Sequence, residues 1–343
     1  MTVKEIAALA GVSIGTVDRV IYHRGRVAAE TKARIEAVIE KYHFTPNLIA
    51  RRLKRNRTYA FCALIPRRDQ DAGYWDQALS GIENAVEEVR LLGVNTEIIE
   101  FDRYDVKAFQ SAAKKALAKK PDGIVFAPIM PDKTSAFIET VEAKRIPYVF
   151  FDADMPEMNP LCAIGQNPFR GGYLAGRLMH LFTGKFEKPA VVLDAHGEDY
   201  HIARRRDGFL CYAKEHQLPV IVQEYSNYRG AELSEDEILE FLGTHDDISG
   251  VFITNCLAHR VTRAAEKAGR AGEFVIIGYD LIPNNRLLLQ NGGIDAIISQ
   301  RPEYQGRLAL MTLYRRLVLE QTIPEKVEIP LDVYLKENVP AEG

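Results

Sequence analysis

The residues able to do chemistry in this 343-residue chain are a few polar and aromatic side chains that follow short apolar runs. Tyr74 and Trp75, Asp152, Asn255, Asp280 and Gln300 come just after such runs, and Arg205 opens a helical stretch. Their types suit recognition of a polar small molecule. Asp152 and Asp280 accept hydrogen bonds, Arg205 donates two in parallel, Asn255 and Gln300 do both, and Trp75 or Tyr74 offers a flat ring for an apolar face. Each has a plainer alternative. Asp280 can cap the next helix, Arg205 can pair with Asp207 or lie solvated beside Arg204 and Arg206, and Trp75 can be core. A second cluster, Asp194-Ala195-His196-Gly197-Glu198-Asp199-Tyr200-His201, holds groups that bind metals or move protons. Its spacing matches no metal-binding helix, so a polar loop bordering the same site is expected.

Other chemistries are excluded by what is missing. No nucleophile elbow or paired catalytic motif appears, and no glycine-rich phosphate loop follows any apolar run. The four cysteines, Cys62, Cys162, Cys211 and Cys256, are scattered without paired spacing, which points to buried thiols rather than zinc ligands or disulfides. Neither an enzyme, a cofactor nor a metal is expected. No apolar run approaches a membrane span and Met1 to Ala10 has no apolar leader, so the expected location is the cytoplasm.

The polar residues need strands to hold them. Apolar runs at 60–65, 94–99, 123–127 and 148–151 alternate with helical patterns at 79–91, 109–118 and 137–143. The cycle then restarts, with strands at 190–193, 220–223, 250–253 and 274–277 and helices at 171–181, 203–214, 235–242 and 261–268. Continuous apolar strands between helices predict parallel sheets covered on both faces. The fold class is therefore α/β, with two doubly wound lobes whose strand ends face each other across a ligand cleft. A strand at 294–299, a helix at 304–319 and paired strands within 327–335 complete the pattern.

The first 58 residues differ in character. Thr2 and Glu5 form a capping box, Ile6 and Leu9 give the first helix an inward face, and the small residues Ala7 to Val12 allow a tight corner. Ser13 caps a second helix in which Val17, Val20 and Ile21 point inward while Ile14, Gly15, Asp18 and Arg19 are free to meet base edges or phosphates. A third helical pattern covers 29–42. This segment holds 12 Lys+Arg against 5 Asp+Glu, a balance of +7, whereas the remainder carries −10. A basic head on an acidic body suits a head that sits on DNA.

The run VKEIAALAGVSIGTVDRV, the stretch Arg26 to Thr31, and Thr45-Pro46-Asn47 followed by Ile49-Ala50-Arg51-Arg52-Leu53 resemble the headpiece of the lactose-repressor (LacI/GalR) family. The rest resembles that family's effector domains and the type I periplasmic sugar-binding proteins. Asn167 to Gly172, Arg205 to Phe209, Ile253 to Asn255, Gly278 to Pro283 and Ile298 to Pro302 carry this second likeness. The resemblance implies a helix-turn-helix headpiece at 1–44, a hinge helix at 45–58 and an effector and dimerisation domain at 59–343. Lobe 1 would take 59–165 and 293–323 and lobe 2 would take 166–292 and 324–343, with crossings near Gly165, Gly292 and Pro324. It implies a homodimer on a near-palindromic operator, contacted by Ser13, Ile14, Gly15, Thr16, Asp18, Arg19, Asn47, Ala50 and Arg51. Leu53 would wedge into a minor-groove step. The implied effector, a carbohydrate or related polar molecule, would meet Tyr74, Trp75, Asp152, Arg205, Asn255, Asp280 and Gln300. Ala153, Gln166 and Cys256 replace the Arg, Asp and Asp common in sugar binders, which implies a different hydroxyl pattern or a ligand that is not a plain pentose or hexose. The alternative is a sugar-binding receptor with a basic extension and no regulatory role.

Overall fold

Two parallel sheets with the same strand order organise most of the chain. The computed structural model describes residues 1–21, 25–42, 44, 57–184, 187–195, 199–225 and 233–340. These fall into two units, Met1–Arg57 and Thr58–Gly343.

In the first unit, helices α1 (Val3–Ala10), α2 (Ile14–Ile21) and α3 (Ala29–Lys41) close on Ile6, Ala7, Ala10, Val17, Val20 and Ile35. The capping box forms as the sequence predicts: the Thr2 amide donates to Glu5 Oε2 at 2.7 Å, and the Glu5 amide to Thr2 Oγ1 at 3.3 Å. Gly11 sits at φ +63° in the corner, a left-handed conformation that glycine adopts without strain. Leu9 is a correction. It is 53% exposed, because α1 turns Ile6, Ala7 and Ala10 inward, an i, i+1, i+4 stripe that leaves position 9 outside it.

The second unit opens with β1 (Tyr59–Pro66), a short 3-10 turn (Asp71–Gly73) and α4 (Tyr74–Arg90). It continues through β2 (Val94–Phe101), α5 (Val106–Ala118), β3 (Gly123–Phe126), α6 (Pro131–Ala143), β4 (Tyr148–Phe151) and β5 (Cys162–Gly165). The second lobe follows with α7 (Pro168–Thr183), β6 (Ala190–Ala195), α8 (Tyr200–Glu215), β7 (Val220–Tyr225), α9 (Glu235–Thr244) and β8 (Gly250–Ile253). After these come α10 (Ala258–Lys267), β9 (Val275–Tyr279), α11 (Pro283–Asn291) and β10 (Ala296–Ser299). The chain closes with α12 (Pro302–Leu317), β11 (Lys326–Glu328) and β12 (Asp332–Tyr334). One sheet runs β2-β1-β3-β4-β5-β11 and the other β7-β6-β8-β9-β10-β12. The two orders are equivalent, so residues after β1 and β6, or after β4 and β9, occupy matching places. All pairings are parallel except β10 with β12, which is antiparallel. The expected α/β architecture of two doubly wound lobes is what the chain builds.

The crossings differ from the sequence reading. Strand β10 belongs to the second sheet, so the chain leaves that lobe after Ser299, not near Gly292; Gly292 is the left-handed C-cap of α11. Strands β11 and β12 do not pair with each other: each joins a different sheet, which places the last crossing between Glu328 and Asp332 rather than near Pro324. A side chain staples the three crossings. Gln166, on the first, donates through Nε2 to the Ser299 carbonyl on the second and the Pro330 carbonyl on the third, both at 2.7 Å.

Glycines set the closest helix approaches in both lobes. A Cβ on Gly172 of α7 would lie 1.7 Å from the Arg205 carbonyl oxygen of α8, and one on Gly208 of α8 would lie 2.0 Å from the Phe169 carbonyl oxygen. In the first lobe Gly81 of α4 and Gly306 of α12 meet Glu303 and Ala78 backbone in the same reciprocal way. Backbone cannot yield as a flexible side chain does, so Gly172→Ala should cost about 1–3 kcal/mol in denaturant unfolding. Gly243→Ala, in a helix with nothing within 4 Å of its Cβ position, should be neutral or stabilising.

Candidate functional site

On α2, Ser13 Oγ accepts from the Thr16 amide at 3.1 Å and lies 2.9 Å from Thr16 Oγ1. Ser13, Ile14, Gly15 and Arg19 are exposed and Thr16 and Asp18 half-buried, while Val17 and Val20 are buried. Ile14 is 49% exposed, unusual for an aliphatic side chain on a well-packed helix. Asn47, Ala50, Arg51 and Leu53, with the rest of the linker reading, lie outside the described residues, as do His196 and Glu198.

In the second unit, all seven residues expected at the strand ends line one cavity: Tyr74, Trp75, Asp152, Arg205, Asn255, Asp280 and Gln300. Asp152 follows β4 and Asp280 follows β9, at equivalent positions of the two sheets. Both take left-handed backbone, φ +71° and +61°, which swings each carboxylate off its strand into the cleft. Tyr74 donates its hydroxyl to Asp152 Oδ1. Asp280 accepts from the Gln300 amide at 3.1 Å and from Gln300 Nε2 at 2.8 Å. Gln305 joins the two sides, accepting from the Asp152 amide at 3.0 Å and donating to the Gln300 carbonyl at 2.8 Å. Arg205 donates to the Thr254 carbonyl at 2.9 Å and stacks 3.7 Å over the Tyr279 ring. Asn255 Oδ1 accepts from the Leu257 amide at 3.1 Å. Arg205 Nε and Gln300 Oε1 are buried without a partner. Trp75 spends its indole N–H on Asp71 Oδ2 at 2.7 Å and meets Tyr74 edge to face, so its ring is built into the wall.

The sequence reading placed Asp199, in the 194–201 loop, at the border of this site, but it missed Asp71 and Arg103, which tie that residue to the first lobe. Asp71 precedes α4 and Asp199 precedes α8, again at equivalent positions, and buried Arg103 bridges them. Its Nη1 donates to Asp71, and its Nη2 to Asp199 of the other lobe at 2.6 Å. Tyr104 donates to Asp71 at 2.6 Å, and the Met130 amide crosses to Asp199 Oδ1 at 3.2 Å. Cys256 Sγ reaches back to the Asp71 carbonyl at 3.2 Å. Nothing in the local pattern around Arg103 marks it, since it sits among Asp102, Tyr104 and Asp105 in a charged loop. Comparing the two halves for matching carboxylates after their first strands would have led from Asp199 to Asp71. Drawn together this way, the lobes leave about 30 Å³ inside. An adjoining cavity of about 370 Å³ shares Asp152 and His201 with the inner one and extends along Gln166, Asn167, Phe169 and Tyr200.

Burial sets the electrostatics. It pushes Asp152 up to about 7, against the hydrogen bond from Tyr74 and the charge of Arg205, and Asp280 up to about 6, again against Arg205. Burial raises Asp199 too, while Arg103 pulls it back. Arg103 itself is lowered by burial, but the facing Asp71 and Asp199 overcome this and hold it above its ordinary value.

The molecule thus combines a helix-turn-helix unit with a two-lobed, hinged ligand cleft, the plan of a ligand-responsive transcription regulator. Residues 62–321 match the periplasmic binding protein domain family, and residues 2–47 match the bacterial regulatory proteins, lacI family. The chain belongs to the LacI family of regulators, with a periplasmic-binding-protein-like effector domain. It is 28% identical to the HTH-type transcriptional repressor PurR of Yersinia pestis over 340 residues, 96% of this chain and 94% of that one. A putative LacI transcriptional regulator from Bacteroides fragilis superposes with a TM-score of 0.73 at 25% identity, over 82% of this chain and 99% of that one. The lac repressor dimer bound to operator shares the fold at a TM-score of 0.66 and 19% identity, over 99% of both chains.

Two outcomes test the cleft. Replacing Arg103 by Met leaves two buried carboxylates uncompensated and should cost about 3–5 kcal/mol in denaturant unfolding; a loss below about 1 kcal/mol contradicts the bridge. Because Asp152 and Asp280 are raised above 3.8, these two residues hold more protons in the folded chain than in the unfolded one up to about pH 7. Their contribution to stability therefore falls as pH rises through that window. Calorimetric Tm without ligand should drop in part for this reason between about pH 5 and pH 8, and Asp152→Asn should flatten the drop.

Proposed function

We propose that the chain is a cytoplasmic repressor that binds a near-palindromic operator as a homodimer and senses a carbohydrate or related polar small molecule in the interlobe cleft. The observation that carries this reading is the pairing, in one chain, of an outward-facing recognition helix with a cleft whose buried Arg205 Nε and Gln300 Oε1 have no protein partner. Buried polar atoms without partners are costly, and a bound ligand offsets that cost. On α2, Ile14 meets thymine methyls, Arg19 reads a guanine or a phosphate, and Asp18 accepts from a cytosine amino group or orients Arg19. Asn47, Ala50 and Arg51 hold the adjoining backbone and Leu53 wedges the minor groove between half-sites. Ligand exchange changes the lobe angle about the three crossings, and the dimer passes that change to the DNA.

The cleft residues act by binding. Asp152, Asp280, Asn255 and Gln300 orient the ligand's hydroxyls, Arg205 supplies the donor, and Tyr74 and Trp75 form one wall. GanP, a glucose-galactose binding protein from Geobacillus stearothermophilus, superposes with a TM-score of 0.74 at 24% identity over 83% of this chain and all of that one. The fold is thus one that holds a sugar in a named relative of its shape, which supports a sugar as the ligand. The basic headpiece, absent from a plain receptor, favours regulation over the receptor reading.

Selection from a random duplex pool by the full chain tests the reading. It should return a near-palindrome with half-sites about one helical turn, roughly 10 bp, apart. Arg19→Ala should then lose about 1–3 kcal/mol on that site and relax its sequence at one position per half-site. Enrichment of no sequence overturns the regulator reading.

A further inference from the structure

The cleft contains two pairs of matching carboxylates, and its two arginines treat them differently. Asp71 and Asp199, which follow the first strand of each sheet, are both bonded directly to Arg103. Asp152 and Asp280, which follow the fourth strand in order along each sheet's chain, have no such clamp. Arg205 lowers the carboxyl affinity for protons at both but forms no ion pair within 4 Å of either. Its Nε is buried without a partner, as is Gln300 Oε1, and both residues line the cavity. The lining thus holds four carboxylates against two guanidinium groups, and one guanidinium is already used up by the first pair. The cations of the adjoining cavity are engaged as well: Lys326 with Asp154 at 3.4 Å and Arg204 with Asp207 at 3.0 Å.

We infer, resting on the small-molecule reading above, that the cleft selects an uncharged ligand rich in hydroxyl donors and excludes anionic relatives such as sugar phosphates and sugar acids. The open positions ask for a group that donates to Asp152, Asp280 and Gln300 and accepts from Arg205 Nε. A hydroxyl both donates and accepts, and two neighbouring hydroxyls span these roles. A phosphate or carboxylate accepts only. It would satisfy Arg205, leave the other acceptors unmatched, and face two carboxylates in a cavity where like charges repel strongly. An ammonium satisfies the acceptors but faces Arg205 and leaves Nε unmatched. Burial reinforces the choice: a donor hydroxyl restores hydrogen bonds that Asp152 and Asp280 lost on leaving water, which stabilises their charged forms.

Matched triplets separate this inference from the reading beneath it. Thermal shift and calorimetric titration of the full chain would use D-glucose, D-glucuronate and D-glucose 6-phosphate, and the same three forms of D-galactose. D-xylose, L-arabinose, D-ribose, each pentose with its phosphate, and the acyclic polyols would complete the panel. The expected result is that stabilisation comes only from uncharged members. Binding should strengthen as pH rises from about 6 to 8 and weaken on the order of tenfold or more in Asp280→Asn. That variant removes a buried charge, and an unchanged or raised Tm shows that it folds. An acid or phosphate that binds as well as its uncharged parent overturns the inference and leaves the small-molecule reading standing. No binding by any member overturns the carbohydrate reading and the inference with it.

Discussion

Two sheets of identical order aim their strand ends at one another, and buried carboxylates must therefore face each other across a narrow gap. That constraint governs the effector domain. Like charges withdrawn from water repel strongly and cost several kcal/mol each unless a cation lies between them. Arg103, from the first lobe, answers it by bonding one carboxylate from each lobe. Arg205, from the second, answers it only in part, and the unmet part is where we propose the ligand binds. The glycine pairs on α7 with α8 and α4 with α12 matter because they bring these helices close enough for Arg205 and Tyr74 to reach the gap.

Both sides of the cleft carry bonds that join the lobes. The Asp71–Arg103–Asp199 bridge and the Met130 amide join them on one side. On the Asp152–Asp280 side Gln77 Nε2 donates to the Leu281 carbonyl at 3.2 Å, while Gln305 connects Asp152 with Gln300. Gln166 ties the three crossings together, since its one amide nitrogen bonds to both of the others. The replacement of an acidic residue common in sugar binders by Gln166 therefore has a structural meaning at the hinge. Cys256 likewise contributes to the lobe contact through Asp71.

Much of this was legible in the sequence. The strand–helix alternation gave the two lobes, because parallel strands covered on both faces must be continuously apolar. The seven cleft residues could be read because ligands of such sheets gather past the strand ends, and Asp152, Asn255, Asp280 and Gln300 are polar residues at those places. Arg103 was not legible: its importance lies in a contact with Asp199, 96 residues away, and its local neighbourhood looks like a solvated charged loop. The crossings were misplaced for a similar reason. Gly292 resembles a break in the pattern but only caps α11, and the short strands after Lys326 pair according to which sheet edge is vacant, which no local pattern encodes. On α1, the spacing of Ile6 and Leu9 fits an inward face as well as Ile6 with Ala7 and Ala10 does; packing against α2 and α3 chose the smaller residues.

The central claim is that occupancy of the cleft controls DNA binding. It is tested most directly by titrating the full chain onto a duplex returned by selection, with and without saturating uncharged sugar from the panel, in the parent chain and in Asp280→Asn. The account predicts a change in DNA affinity of about 5–150-fold in the parent, with its midpoint moved to a sugar concentration on the order of tenfold or more higher in the variant. A sugar that saturates the cleft yet leaves DNA affinity unchanged would contradict it.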